Sequence, residues 1–166
     1  MWCAVATLGM SSTLIGEGIA GAAAKSKIVF SDATVTAAPR EGDSAVVVRI
    51  SNDSRGPISL TSVSSPRSTS SMIFYDENMC QGNHSMSQLA NLFIEPGHAQ
   101  TLALKYQGAM LSGLHSALMR GETIPIVLRW SDFHSVHTVT LEAKVVRAPK
   151  GLKFLGSGTG MSGMRM

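Results

Sequence analysis

Hydrophobic and polar residues alternate along four stretches in the middle of the chain. These stretches are residues 46–50, 102–106, 124–130 and 139–145. A period of two is typical of a β-strand that turns one side toward a core and the other side toward solvent. The pattern therefore predicts a β-strand at each of the four stretches, within a domain that extends from residue 27 to residue 148.

Turn-forming residues separate the predicted strands. They cluster at residues 51–53, 55–57, 95–97, 120–122 and 131–132. Short alternating strands with turns at this spacing are typical of sandwiches. We therefore predict an all-β fold, an antiparallel Greek-key β-sandwich. Because proline lacks a backbone N–H, Pro125 predicts that its strand is an edge strand or contains a bulge.

The two ends of the chain differ from this alternating domain. Residues 1–26 form a mostly apolar arm, which has no Lys or Arg before Lys25 and only one acidic residue, Glu17. The arm is similar to the apolar part of a secretory signal, and we expect an export or anchor segment; a segment packed on a partner is the alternative. Residues 149–166 form a Gly- and Met-rich tail with a basic character.

Composition excludes some classes of protein. Hydrophobic residues make up 44% of the chain and charged residues 15%, which is not the composition of a disordered protein. The net charge is +3, and no acidic residue follows Glu142. A basic tail of this kind suits an acidic protein, an anionic lipid or plain solvation. Only Phe154 lies among its charges, which argues against nucleic acid as a partner.

Sequence motifs give little support for an enzyme. The chain contains no GxSxG, HExxH, GxxxxGK[ST] or GxGxxG motif, and its acidic residues are sparse. Asp132, His134 and His137 lie close together in sequence, but alternation places the two histidines on opposite faces of a strand. We therefore expect surface histidines at a hairpin there, and we predict that the protein is not an enzyme.

Soft metal donors are concentrated in one region of the chain. They are Met72, Met79, Cys80, His84 and Met86, with Met110 and His115 later in the sequence. Thioether, thiolate and imidazole groups together suit Cu(I). Methionine is also a common filler of irregular core gaps, which is the alternative role for Met72 and Met110. With Cys3 in the arm, a disulfide to Cys80 is not expected.

Five segments of the domain resemble one known family in their order and spacing. They are residues 45–52, 58–66, 92–97, 108–114 and 121–128. From about residue 35 to residue 146 the chain resembles the periplasmic copper chaperones called PCu(A)C. The resemblance implies a cupredoxin-like sandwich that works outside the cytoplasm, in the periplasm or cell envelope, or in the mitochondrion of a eukaryote. It also implies a respiratory partner, cytochrome oxidase.

The copper-binding motif of that family is only partly present. Its form is His-x10-Met-x21-His-x-Met, and Met86 and Met110 occupy the two methionine positions at the expected spacing. The resemblance places Tyr75 and Gly108 at the two histidine positions. Two thioethers without histidine should bind Cu(I) more weakly and less selectively than the full set.

The incomplete motif leaves two functions open. The first is a non-catalytic accessory or scaffold subunit of a larger, membrane-associated respiratory assembly, with a degenerate metal site. The second is an active Cu(I) chaperone that delivers copper to cytochrome oxidase, with His84 or Cys80 replacing the missing donors. The candidate Cu(I) ligands are therefore Met86, Met110, His84 and Cys80.

Overall fold

The computed structural model describes residues 27–76, 86–103 and 106–148, which form ten β-strands. The strands are β1 (Ile28–Thr36), β2 (Ser44–Asn52), β3 (Ile58–Ser64), β4 (Ser68–Asp76), β5 (Met86–Leu89), β6 (Leu92–Ile94), β7 (Ala99–Leu102), β8 (Gln107–Leu114), β9 (Thr123–Ser131) and β10 (Val136–Val146). The predicted all-β fold is confirmed. The arm, the tail, Cys80 and His84 lie outside the described residues. Within the described part, no helix is long and apolar enough to cross a membrane.

The strands form one sheet that is nearly closed into a barrel. Their order is β5-β4-β8-β2-β1-β10-β9-β3-β6, and β7 pairs with β2. Strand β1 pairs with β2 in antiparallel fashion and with β10 in parallel fashion, and its register shifts between Ser31 and Thr34. This irregularity, with Asp32 at φ 55°, lets one strand join the two halves. The predicted β-sandwich is confirmed, with this one parallel pair added to an otherwise antiparallel sheet.

The barrel interior follows from the alternation in the sequence. In β9, Ile124, Ile126, Leu128 and Trp130 are all buried in the core, whereas Arg129 is exposed. Burying apolar side chains in this way stabilises a domain by about 1.5–3 kcal/mol for each large side chain. The strands predicted at residues 46–50, 124–130 and 139–145 are present as β2, β9 and β10.

The strand predicted over residues 102–106 is shorter in the structure. Strand β7 ends at Leu102, and the backbone N–H of Ala103 donates a hydrogen bond of 2.7 Å to the carbonyl of Gln107. This hydrogen bond turns the chain into β8. Tyr106 lies in the turn with its side chain exposed, so its alternation with Leu102 has no structural counterpart.

The prediction from Pro125 is wrong, because β9 is a central strand with a regular register through Pro125. It pairs with β10 on one side and with β3 on the other. Pro125 lies beyond the end of β3, where no ladder hydrogen bond is needed from its nitrogen. The hydroxyl of Ser65 donates a hydrogen bond of 2.8 Å to the Pro125 carbonyl in place of a ladder partner.

The chain enters the barrel at one of its two ends. Lys27 lies there with the turns at residues 53–57, 95–98 and 132–135, and we call this the N-terminal end. Asn52 lies at its centre with no exposed surface. Its backbone N–H donates to the carbonyl of His98 at 2.9 Å, and its carbonyl accepts from the N–H of Gly97 at 2.7 Å.

Candidate functional site

Two of the candidate copper residues, Met86 and Met110, lie on the outer face of strands β5, β4 and β8. Met110 is directly opposite Met72, Gly108 is opposite Phe74, and Met86 is opposite Asp76. Directly opposed residues of antiparallel strands share a face, and every second residue along a strand returns to it. We call the surface formed by Met72, Phe74, Met86, Gly108 and Met110 the methionine face.

The other face of the same strands belongs to the core. Ile73 and Ala109 are buried there in the hydrophobic core of the barrel. Tyr75 is paired with Gln107 and Ser87, so it lies on this side of the sheet and not on the methionine face. Its side chain is partly exposed. The structure therefore does not place Tyr75 beside Met110.

Phe74 fills the centre of the methionine face. Its side chain has no exposed surface, although it does not belong to the main core cluster. A Cβ atom added to Gly108 would lie 2.6 Å from Cζ of Phe74 and 2.9 Å from the carbonyl oxygen of Ala103. Such distances are well inside van der Waals contact. The aromatic ring therefore occupies the volume that any side chain at position 108 would need.

The three methionines lie on both sides of this ring. Met110 is half-buried and directly opposite the half-buried Met72, which places their Cβ atoms about 5 Å apart. Met86 lies at the other end of the face, four residues further along β4, or about 13 Å at the usual rise of a strand. Sequence reasoning left Met72 as a core filler or a donor, and its even spacing from Phe74 is the signal that places it on this face.

His115, a sequence candidate that the structure describes, does not join the methionine face. His115 is exposed beyond the end of β8, where its backbone N–H donates to the carbonyl of Arg67 at 3.0 Å. Cys80 and His84 lie outside the described residues. Within the part of the chain that the structure describes, no three side chains of His, Cys, Asp or Glu are grouped so that they could hold a metal ion.

Asp132 and His137 form a compact polar unit at the N-terminal end. The Asp132 carboxylate accepts hydrogen bonds from the backbone N–H groups of His134 at 2.8 Å and Ser135 at 2.7 Å. Nε2 of His137 lies 3.0 Å from its second oxygen. The His137 ring stacks on Trp130 with centroids 4.1 Å apart. These contacts hold a hairpin turn together and leave His134 exposed.

The two backbone N–H groups, with a smaller contribution from His137, lower the pKa of Asp132 to about 2. We expect NMR spectra recorded against pH to show this titration midpoint. Because the pKa lies below the ordinary value of 3.8, the stabilisation is present above pH 4 and is lost as pH falls through 2. The stability difference between wild type and Asp132→Asn should therefore shrink over this range. A midpoint at or above 3.8 would contradict the prediction.

A shallow groove separates β3 from β4 and β5, with Met72 on its rim. Its volume is about 100 Å³. It is lined by Thr61, Ser62, Val63, Ser71, Met72, Ile73, Gln88, Leu89 and Ala90. Pockets for drug-sized ligands have volumes of roughly 300–1,000 Å³, so this groove is too small for such a molecule.

Comparisons with known proteins agree with this fold. Residues 28–145 match the sequence model of the family described as "Putative lipoprotein LpqE-like". The Cu(I)-bound solution structure of DR1885 from Deinococcus radiodurans is 32% identical, covers 76% of this chain and 82% of that chain, and has a TM-score of 0.57. The copper-bound PCuAC domain from PmoF2 is 19% identical over 74% of this chain and 94% of that chain, with a TM-score of 0.57, and shows the fold alone. No match was found among curated protein sequences.

Proposed function

Since the chain belongs to the LpqE-like family, we propose that it is a copper-chaperone-like protein with a degenerate metal site. It acts as a non-catalytic accessory or scaffold subunit of a larger respiratory assembly at a membrane. The family description and the PCuAC relatives favour a location outside the cytoplasm. The apolar arm and the basic tail are the parts of the sequence suited to contacts with neighbouring subunits.

One observation carries the proposal of a degenerate site. The ring of Phe74 lies on Gly108, at the position where the copper motif has a histidine. The pocket for that imidazole is filled by the protein itself, so a donor from a neighbouring residue would have to displace a fully buried ring. The described methionine face then offers only thioethers, which bind Cu(I) less strongly and less selectively than a set that includes imidazole.

A second function is favoured by the pairing of Met72 with Met110. Two half-buried thioethers on adjacent strands are soft, exchangeable donors of the kind that Cu(I) transfer requires. The Deinococcus radiodurans relative is a Cu(I)-bound protein at 32% identity. On this alternative the chain is an active Cu(I) chaperone for cytochrome oxidase, and His84 or Cys80 completes the site.

A Cu(I) competition titration distinguishes the two functions. The full chain is titrated against a chromogenic Cu(I) chelator, together with the variants Met86→Leu/Met110→Leu and Met72→Leu/Met110→Leu. We expect none of the three proteins to take Cu(I) from the chelator, because the described face provides no imidazole. Met119→Leu, at an exposed methionine outside the methionine face, is the matched control.

Tight one-to-one binding by the wild type would overturn the degenerate site. Loss of that binding in one of the double variants, but not in Met119→Leu, would assign the ligands and support the chaperone function. Binding that survives both double variants would direct the assignment to Cys80 and His84.

A further inference from the structure

Four large apolar side chains are exposed at the N-terminal end of the barrel. They are Val29 at 52%, Phe93 at 66%, Phe133 at 80% and Val136 at 58% exposure. Two aromatic rings with this much exposed surface are costly to keep in water, at about 25 cal/mol for each Å² of apolar area. Clusters of this kind mark surfaces that contact another phase or molecule.

The strand register brings two of these four side chains, Phe93 and Val136, into one row. Phe93 on β6 is opposite Ser59 on β3, Ser59 is opposite Ser131 on β9, and Ser131 is opposite Val136 on β10. The four residues of this row therefore share the outer face of the sheet. Because the two central residues of the row are small, Phe93 and Val136 project beyond them. Phe133 extends the row at the tip of the β9–β10 turn.

The two aromatic residues are presented by rigid parts of the fold. The Asp132 carboxylate, which accepts the N–H groups of His134 and Ser135, fixes the turn that carries Phe133. Phe93 lies between two buried residues of β6, and the side-chain amide of Asn52 donates a hydrogen bond of 2.9 Å to the carbonyl of Ile94. Because the backbone is already fixed at both positions, only the side-chain torsions of the two rings have to be ordered when the surface is buried.

The position of the chain entry indicates what this surface contacts. Lys27 lies at the same end of the barrel, because its carbonyl accepts the N–H of Asp53 at 2.9 Å. The arm, residues 1–26, joins the domain there and is apolar over most of residues 2–15. An arm held in a bilayer would keep this end of the barrel, and not the opposite end near Met119, next to the lipid.

Charge at this end does not favour a purely electrostatic partner. Two basic residues, Lys27 and Arg55, lie there with three acidic ones, Asp53, Glu95 and Asp132, so these groups carry a net charge of only −1. We propose that the N-terminal end docks onto a lipid bilayer, with Phe133 and Phe93 inserted at the level of the head groups. Phenylalanine is a common residue on the apolar faces of interfacial protein segments, which are buried at the boundary between head groups and acyl chains.

Vesicle flotation tests the docking with the full chain. Vesicles of phosphatidylethanolamine and phosphatidylglycerol are mixed with wild type, with Phe93→Ser/Phe133→Ser, and with the control Met119→Ser, which removes an exposed apolar side chain outside the cluster. We expect the partition coefficient of the double variant to fall about tenfold to a hundredfold, the range for two partly buried phenylalanines. The control should match wild type. Added salt weakens any attraction between the basic tail and phosphatidylglycerol, but it should leave the ratio of the two partition coefficients, double variant to control, unchanged, because the phenylalanine contact is apolar.

Amide hydrogen exchange gives a second readout that does not depend on the variants. On vesicles, exchange in residues 92–98 and 131–136 should slow, whereas exchange in residues 115–122 should remain as in solution. Equal partitioning of the double variant and the control, or unchanged exchange in both segments, would overturn the proposal. The proposal would also be overturned if both segments were already protected in solution and vesicles added no further protection. The arm or another protein chain would then cover the surface.

Discussion

Replacing Asn52 with aspartate should lower the free energy of unfolding by about 3–5 kcal/mol at neutral pH. The wild-type amide nitrogen donates to the carbonyls of Gly56 and Ile94, both at 2.9 Å. The substituted carboxylate has no hydrogen to donate and would place a negative charge against two carbonyl oxygens in a fully buried position. The side-chain oxygen would still accept from the hydroxyl of Ser54, so the loss is confined to the donor side.

Chemical denaturation against pH would measure this effect. Burial between two carbonyl groups raises the pKa of the introduced carboxyl, so its protonated form is favoured in the folded state. The destabilisation by Asn52→Asp should therefore be largest at neutral pH and should decrease as pH falls toward 4. Asp53→Asn, one residue further on and exposed, is the matched control and should change stability by less than about 0.5 kcal/mol. A loss of stability in Asn52→Asp that does not vary with pH would contradict the mechanism.

Asn52 also shows where prediction from sequence reached its limit. Residues 51–53 were predicted as a turn, and β2 does end at Asn52. Local sequence explains this, since asparagine favours turns through hydrogen bonds to its own backbone region. The contact with Ile94 joins residues 42 positions apart. It depends on the ends of β2 and β6 lying together at one end of the barrel, which no local pattern encodes.

Alternation predicted strands best where one face is buried and the other exposed. Strand β9 meets this condition along its whole length, and its burial alternates without a break after Thr123. Residues 102–106 alternate in the same way, but the strand ends at Leu102, because the backbone N–H of Ala103 donates a hydrogen bond to the carbonyl of Gln107 and closes a turn. Pro125 led to the opposite error, since it argued against a central strand where one is present. Its missing N–H suggested an edge strand, whereas the neighbouring strand simply ends before reaching it.

The candidate site was partly accessible from the sequence. Motif spacing selected Met86 and Met110, and the register places both on the methionine face. The contact of Phe74 with Gly108 was not accessible, because the two residues are far apart in sequence and meet only through the pairing of β4 with β8. The family resemblance assigned position 108 to a histidine of the copper motif, and only the strand pairing shows that the ring of Phe74 occupies the space beside it.

Gly108→His should lower the free energy of unfolding by about 3 kcal/mol, because the imidazole would collide with the ring of Phe74 and the carbonyl of Ala103. Phe74→Ala alone should cost about 3–5 kcal/mol, since it leaves a cavity at a fully buried position. In the double variant the imidazole enters that cavity. The combined loss should therefore be smaller than the sum by about 1–3 kcal/mol, measured by urea denaturation in a double-mutant cycle.

The same double variant tests the explanation for the degenerate site. With Phe74 removed, an imidazole at position 108 lies on the same face as Met110 and Met72. We expect the double variant to compete with the chelator for Cu(I) at least about tenfold more strongly than wild type, because an imidazole joins two thioethers. Gly56→His with Phe74→Ala is the matched control, since Gly56 has open space around it, and its two effects should be additive. Favourable coupling at position 108 without a gain in Cu(I) affinity would separate the two ideas: the ring would fill the position, but its removal would not be enough to restore a copper site.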